Sequence, residues 1–351
     1  MKTRSGQLFL TVGAALAVAS CGRSNDSPLG PERRGFEVSA KSPGAILFES
    51  DRDGNEEIYS MNESGGKQTR LTHNPARDFL AVWSPDKRRI AFNSLRDGNP
   101  EIYLMNANGT GQTNITNSVS EEIQPAWSPD GTKIAFYTNR DGNDEIYVVN
   151  IDGSGPLNLT STPDREERYP AWSPDGSRIS YRSVHGDVYD IYVMNADGSG
   201  QTNLTNAPGR DVYSAWSPNG SRIAFDADRD GTREIYLMNP DGSGQINLTN
   251  NALGDDLRPS WSPDGTQIVF QSNRDGNDEI YVMDADGSRQ TNLTGSPGRD
   301  GHPFWGITPA EPAPQCADGI DNDFDGDVDY PADSSCDSPT DNNERGGRRK
   351  L

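Results

Sequence analysis

Short apolar runs, each cut off by glycine, proline, asparagine or aspartate, recur along most of the chain. From Pro125 the sequence reads PAWSPDGTKIAFYTNRDGNDEIYVVNIDGSGPLNLT. It holds four strand candidates: the segment reaching Trp127, then KIAFYT, EIYVV and LNLT. Runs of this length between turn signals read as strands. Asp130-Gly131, Asp141-Gly142 and Asp152-Gly153 stand at the joints, with Asn-Gly in the same role at 108–109 and 219–220. Such pairs predict type I′ hairpin turns, which need positive φ at both central residues.

The unit repeats. Tryptophans fall at 83, 127, 172, 216, 261 and 305, spaced 44, 45, 44, 45 and 44 residues apart. An Ile-Tyr ladder keeps the same phase at Ile58-Tyr59, Ile102-Tyr103, Ile146-Tyr147, Ile191-Tyr192, Ile235-Tyr236 and Ile280-Tyr281. A third ladder ends at Thr72, Thr116, Thr160, Thr205, Thr249 and Thr294. A fixed period of 40 to 50 residues carrying four short strands is the signature of a β-propeller. The first repeat, from Gly44, supplies only AILFES, EIYSM and the strand ending TRLT, while His302-Pro303-Phe304-Trp305 stands alone at the far end. The expected fold is therefore all-β, a six-bladed propeller of four-stranded antiparallel blades, closed when the last strand completes the first blade. Closure of that kind removes exposed sheet edges.

The motifs WSPDG, IAF, RDGN, EIYVMN and NLT resemble the Pro-Asp, WD40-like repeats of the TolB-type propeller family, over residues 44–308. That family carries an α/β domain ahead of its propeller, whereas here a signal and a tether precede Gly44. The resemblance implies a protein-binding propeller of the bacterial cell envelope whose partner is a peptidoglycan-associated lipoprotein or another envelope protein.

Composition refines this picture. Fifty-three acidic against 32 basic side chains give a net charge of −21, which argues against nucleic acid as the main partner. The 37 glycines and 24 prolines exclude a helical architecture. Lys2, Arg4 and the apolar run Leu8 to Ala19 read as an export signal, too short to span a bilayer as a mature helix. The run ends Val18-Ala19-Ser20-Cys21, which resembles a bacterial lipobox in which Cys21 is acylated. Residues 1–20 are then the signal peptide and 21–43 a lipidated tether. The protein is expected as a monomer, lipid-anchored at the outer membrane and facing the periplasm or the cell surface.

Residues 309–351 form an acidic tail containing CADGIDNDFDGDVDYPADSSC. Asp321, Asp323, Asp325, Gly326, Asp327 and Asp329 follow the spacing of an oxygen-ligand calcium loop, in which alternate carboxylates converge on one hard cation. Ala332 stands where such a loop ends in Glu, and Asp333 is the substitute. The stretch resembles thrombospondin type-3 repeats and Cys-bracketed modules at the ends of bacterial surface proteins, which implies calcium as cofactor and a Cys316–Cys336 disulfide.

Within the repeats, the tryptophans read as blade-to-blade packing. Arg96 with Glu101, Arg140 with Glu145, Arg229 with Glu234 and Arg274 with Glu279 read as hairpin ion pairs, although DRDGN also resembles half of an EF-hand loop. The fourth blade has Val184-His185-Gly186 in place of the arginine turn. Asn114, Asn158, Asn203, Asn247 and Asn292 open glycosylation-like tripeptides that read as repeat consensus. The units differ most in the segments between each Thr and the next Trp. Phe79, Gln124, Tyr169, Tyr213, Arg258 and His302 are accordingly the candidate contact residues at one channel mouth. With three histidines and no GxSxG motif, an enzyme is not expected. A cell-wall glycan ligand, or a metal-dependent polysaccharide lyase or hydrolase on the same propeller, is the alternative. Calorimetric titration of an oxidised 310–351 fragment with calcium is expected to give binding heat, and a flat titration would remove calcium from the tail.

Overall fold

The computed structural model describes residues 46–306; Cys21, the tether, Cys316, Cys336 and the aspartates of the tail lie outside them. Six four-stranded antiparallel sheets account for the described strands. Blade 1 contains β1 (Ile46–Ser50), β2 (Glu57–Met61) and β3 (Thr69–Arg70). Blade 2 contains β4 (Asp78–Trp83), β5 (Arg89–Ser94), β6 (Glu101–Asn106) and β7 (Thr113–Asn114). Blade 3 is β8 (Glu122–Trp127), β9 (Lys133–Thr138), β10 (Glu145–Asn150) and β11 (Leu157–Asn158). Blade 4 is β12 (Glu166–Trp172), β13 (Arg178–His185), β14 (Val188–Asn195) and β15 (Thr202–Asn203). Blade 5 is β16 (Asp211–Trp216), β17 (Ile223–Ala227), β18 (Glu234–Met238) and β19 (Ile246–Asn247). Blade 6 is β20 (Asp256–Trp261), β21 (Gln267–Ser272), β22 (Glu279–Asp284) and β23 (Thr291–Asn292). The last strand, β24 (Asp300–Phe304), pairs with β1 through Leu47↔Phe304 and Ser50↔Asp300 and completes blade 1.

The core lies between blades rather than within them. Trp83 of blade 2 packs with Leu47, Ile58 and Leu71 of blade 1 and with Ile90 and Phe92 of its own blade. Trp216, Trp261 and Trp305 bridge their neighbours in the same way. Middle strands are covered on both faces, so β1, β2 and β17 are buried along their whole length and read as continuous apolar runs rather than alternating ones. The outer strands are only two residues long, which keeps the rim from templating further strands.

Two local expectations change. The Asp-Gly joints are not type I′ turns, because only the glycine has positive φ. At Ser128-Pro129-Asp130-Gly131 the Gly131 N–H donates to the Ser128 carbonyl at 2.9 Å, and Gly131 has φ +69. This is a type I turn followed by a left-handed glycine, with Pro in its favoured second place. A further demand falls on Gly109 (φ +84), where a Cβ would sit 2.3 Å from the Leu71 carbonyl oxygen of the preceding blade.

The second correction concerns the arginines. They reach back across the blade rather than forward along the hairpin. Arg96 pairs with Asp78 at 2.9 Å, Arg140 with Glu122, Arg229 with Asp211 and Arg274 with Asp256, the last three at 2.7 Å. Glu101 and its equivalents instead accept from the threonine ending the repeat and from the linker backbone: Glu145 accepts from the Thr160 hydroxyl and, at 2.8 Å, from the Thr162 N–H. The asparagines are used internally, Asn114 donating to Asp97 at 2.9 Å and Asn158 to Asp141 at 3.0 Å.

Lys87 takes the turn-glycine position in blade 2 with φ 53, where blades 3 to 6 carry Gly131, Gly176, Gly220 and Gly265. Left-handed geometry costs a residue with a Cβ about 1–2 kcal/mol, partly offset by the entropy glycine loses on folding. Lys87→Gly is expected to stabilise the protein by about 0.5–1 kcal/mol, read as a raised denaturant midpoint at unchanged slope.

Candidate functional site: the central channel

Each innermost strand carries a buried acid at its first residue, or at its second in β12, and then bulges. The β4–β5 register shifts between Phe79 and Val82, β8–β9 between Ile123 and Ala126, and β20–β21 between Leu257 and Ser260. The bulge turns the second residue after the acid into the channel. Those residues are Leu80, Gln124, Tyr169, Tyr213, Arg258 and His302, and all of them line one cavity. Five have positive φ: Leu80 (56), Gln124 (63), Tyr169 (60), Arg258 (56) and His302 (47). Left-handed backbone at bulky residues is uncommon and strained, and it persists only where the surroundings enforce it.

The enforcing contacts come from a second ring on the adjoining strands: Glu49, Asn93, Tyr137, Arg182, Asp226 and Gln271. Glu49 accepts from the Leu80 N–H at 3.2 Å and Asn93 from the Gln124 N–H at 2.8 Å. Asp226 accepts from the Arg258 N–H at 3.2 Å and Gln271 from the His302 N–H at 3.3 Å. Each of these bonds crosses from one blade to the next. The expectations missed this ring, yet its signal is in the sequence. The slot after the invariant aromatic reads FES, FNS, FYT, YRS, FDA and FQS, a variable polar position inside an otherwise repeated strand.

Five of the six expected contact residues are thus brought together; Phe79 is not among them. Its ring lies under Arg77, 4.9 Å from the guanidinium carbon, and the bulge gives its place in the channel to Leu80. The gathered side chains engage one another inside the channel. Tyr169 and Tyr213 have ring centroids 4.1 Å apart, and Tyr213 meets His302 edge-on at 6.4 Å. Arg258 lies 4.9 Å over Tyr213 and donates to Gln271 at 2.8 Å. His302 Nδ1 bonds the Glu49 carboxylate. Arg258 Nη1 also lies 3.1 Å from His302 Nδ1.

Charge in the ring follows from burial and neighbours. Burial alone would raise the Glu49 carboxyl, but His302, Arg258 and the Leu80 N–H outweigh it and bring it to about 2. Burial, reinforced by Arg258, lowers His302 to about 4. Burial raises Asp226 to about 6, against the opposing pull of Arg233 and Arg258. At neutral pH the ring therefore holds an ionised Glu49, a neutral His302 and a cationic Arg258.

The cavity encloses about 1170 Å³, its open mouth included. It runs from this polar ring along walls of Ala81, Trp83, Ala126 and Trp172 to the prolines Pro85, Pro129 and Pro174 of the Ser-Pro turns. The loops ahead of the innermost strands, which vary as well, do not line it. A concave, mainly apolar wall with a few convergent polar groups is the form of a ligand site. His73 is exposed on its linker and His185 on the blade 4 hairpin. Among the described residues no group of three His, Cys, Asp or Glu is placed to hold a metal. The Asp97 carboxylate of one Arg-Asp-Gly turn accepts from Tyr103 and Asn114.

The family description "TolB beta propeller domain" matches residues 78–167 and 161–253, together half of the 351-residue chain. The chain belongs to the TolB β-propeller family. Among solved structures, a protein described as TolB from Agrobacterium tumefaciens is 25% identical, with a TM-score of 0.60 over 71% of this chain and 87% of that one. TolB from Acinetobacter baumannii is 22% identical with a TM-score of 0.65, over 74% of this chain and 65% of its own. An oligogalacturonate lyase in complex with manganese is 18% identical, with a TM-score of 0.52 over 72% of this chain and 74% of its own. At these identities the last two share the fold. A comparison with curated proteins finds no match.

The depressed His302 makes a prediction for this TolB-family propeller. Between the ordinary value of 6.5 and about 4, the unfolded chain takes up a proton that the folded ring refuses, so this contribution to stability is lost as pH falls through that window. In proton NMR, His302 is expected to titrate well below the ordinary histidine range, near about 4. Arg258→Met is expected to move the His302 titration upward and to cost roughly 2–4 kcal/mol, because it strips a cation from a buried network. An unmoved His302 midpoint would contradict this electrostatic picture.

Proposed function

We propose that this chain is a non-catalytic binding scaffold of the bacterial cell envelope, anchored through an acylated Cys21, that holds a protein partner at the channel. The observation carrying this reading is the double ring. In a frame whose core strands repeat six times, the channel-lining position and the buried position that braces it are filled differently in every blade or nearly so. Repetition serves the fold, and variation on a concave surface serves recognition. The apolar wall suits an inserted side chain or loop, and the tyrosine, arginine and glutamine floor supplies directional hydrogen bonds. Membership of the TolB propeller family supports an envelope protein as partner, with a peptidoglycan-associated lipoprotein as the first candidate. The calcium tail is proposed as a separate module with no part in the channel.

The test is a pull-down from the native envelope with wild-type protein and a Tyr169→Phe, Tyr213→Phe, Arg258→Gln, His302→Gln variant shown to be folded by its melting curve. A defined envelope protein retained by the wild type and lost by the variant is the expected result. Retention by both moves the working surface off the channel. Absence of any protein, together with release of unsaturated products from acidic polysaccharides on adding divalent metal, would replace the scaffold with a lyase.

A further inference from the structure

Five blades tie the buried acid at the start of the innermost strand to an arginine in the turn between the second and third strands. The fifth such pair, Arg52–Asp300 at 2.7 Å, closes blade 1. All five acids are 0% exposed. Each guanidinium also lies over the aromatic pair of its own blade, as Arg96 does 4.5 Å over Tyr103. A buried carboxylate is tolerated because a cation meets it.

Blade 4 breaks the pattern. Its acid, Glu167, is 1% exposed, and the arginine position holds His185, whose side chain is 66% exposed and turns toward Asp164. Glu167 Oε1 accepts from the Ser183 hydroxyl at 3.1 Å, while Oε2 has no hydrogen-bond partner. Arg165 from the linker feels the charge of Glu167 but forms no ion pair or hydrogen bond with it. It donates to the Tyr192 hydroxyl at 3.1 Å and lies over that ring. From β14, Asp190 is tied to Asn203 and Thr205. From β13, Tyr181 stands where four of the other blades carry a phenylalanine at the equivalent of Phe136 and blade 1 carries Phe48. From β10 of blade 3 comes Glu145, within hydrogen-bonding reach of Glu167. Glu145 already accepts from Thr160, Asn143 and the Thr162 N–H, as an ionised carboxylate does.

Two carboxyl groups in a buried site with no cation bonded to either cannot both ionise at ordinary cost. We propose that blade 4 is held by a proton where the other five are held by arginine: Glu167 is protonated, bonds toward Glu145, and its ionisation loosens the seam between blades 3 and 4. Burial first, and then the charge of Glu145, raise Glu167 to about 7. The folded state therefore keeps a proton that the unfolded chain releases between 4.5 and about 7. This contribution to stability falls as pH rises through that window and is gone above it. The seam reaches the channel, because Glu167 stands two residues before Tyr169, whose ring stacks on Tyr213 and meets Tyr137 edge-on. A small rise in pH near neutrality would thus unsettle the aromatic side of the ring and leave the arginine-tied blades as they are. This inference does not depend on the identity of any partner.

Hydrogen exchange of the full chain, corrected for the intrinsic pH dependence of the chemistry, tests it. Peptides covering 161–195 are expected to open about tenfold more for each pH unit between 4.5 and about 7 and to level off above it, while the corresponding peptides of blades 2 and 6 show no such step. Glu167→Gln should abolish that step; His185→Gln and Asp226→Asn should leave it in place. A step that survives Glu167→Gln, that vanishes with either control, or that is absent from the wild type overturns the proposal. Infrared spectroscopy of glutamate-labelled wild type provides a reading independent of any variant. A protonated-carboxyl band present at about pH 6 and gone by about pH 8 is expected, and its absence at the lower pH also overturns the proposal.

Discussion

Every blade of this ring depends on its neighbour for a core. The tryptophan of one blade fills the gap against the second and third strands of the blade before it. No sheet therefore buries its own apolar faces, and the arrangement is stable only when it returns to its start. The pairing of β24 with β1 makes that return. It converts five sequential seams into six and leaves no terminal sheet face in water, which is the general difficulty of stacked repeats. The two-residue outer strands and the inter-blade glycines follow from the same demand for close, identical seams.

Upon this frame the channel is built by distortion. A bulge in each innermost strand turns one side chain inward, and at Leu80, Gln124, Arg258 and His302 a polar side chain from the adjoining blade holds the turned backbone. Strain and its restraint thus sit on opposite sides of a seam, so the shape of the channel is coupled to how the blades meet. Bulges re-aim side chains in many sheets; here their repetition in register converts a local irregularity into a ring of six inward groups. Because the groups differ, the ring has an aromatic side around Tyr137, Tyr169 and Tyr213 and a charged side around Glu49, Arg258 and His302.

The architecture was legible in the sequence because it is written six times. Trp83 to Trp305, the Ile-Tyr pairs and the Asp-Gly joints gave blade number, strand number and the closing strand. Features that depend on register across strands were not legible. Arg96 has Glu101 five residues ahead and Asp78 eighteen behind, and only the pairing of β4 with β5 shows that the distant acid is the near one. The one-residue gain of the bulge decided between Phe79 and Leu80. Asp130 fills the third place of its turn and Gly131 the fourth, as Asp141-Gly142 and Asp152-Gly153 do, a register that an Asp-Gly dipeptide alone does not reveal. The inner ring went unseen since Glu49, Asn93 and their equivalents lie in strands that otherwise read as core.

Closure by the last strand has a topological side. Leu47 and Phe304 are partners across β1 and β24, so the first and last described strands lie side by side in one blade. The break in the ring is a seam like any other strand boundary within a blade, bridged by hydrogen bonds instead of a peptide link. A chain whose ends were joined there and reopened at another linker would face the same contacts in a different order of synthesis. The circle, in that sense, has a place where it is cut but no place where it begins.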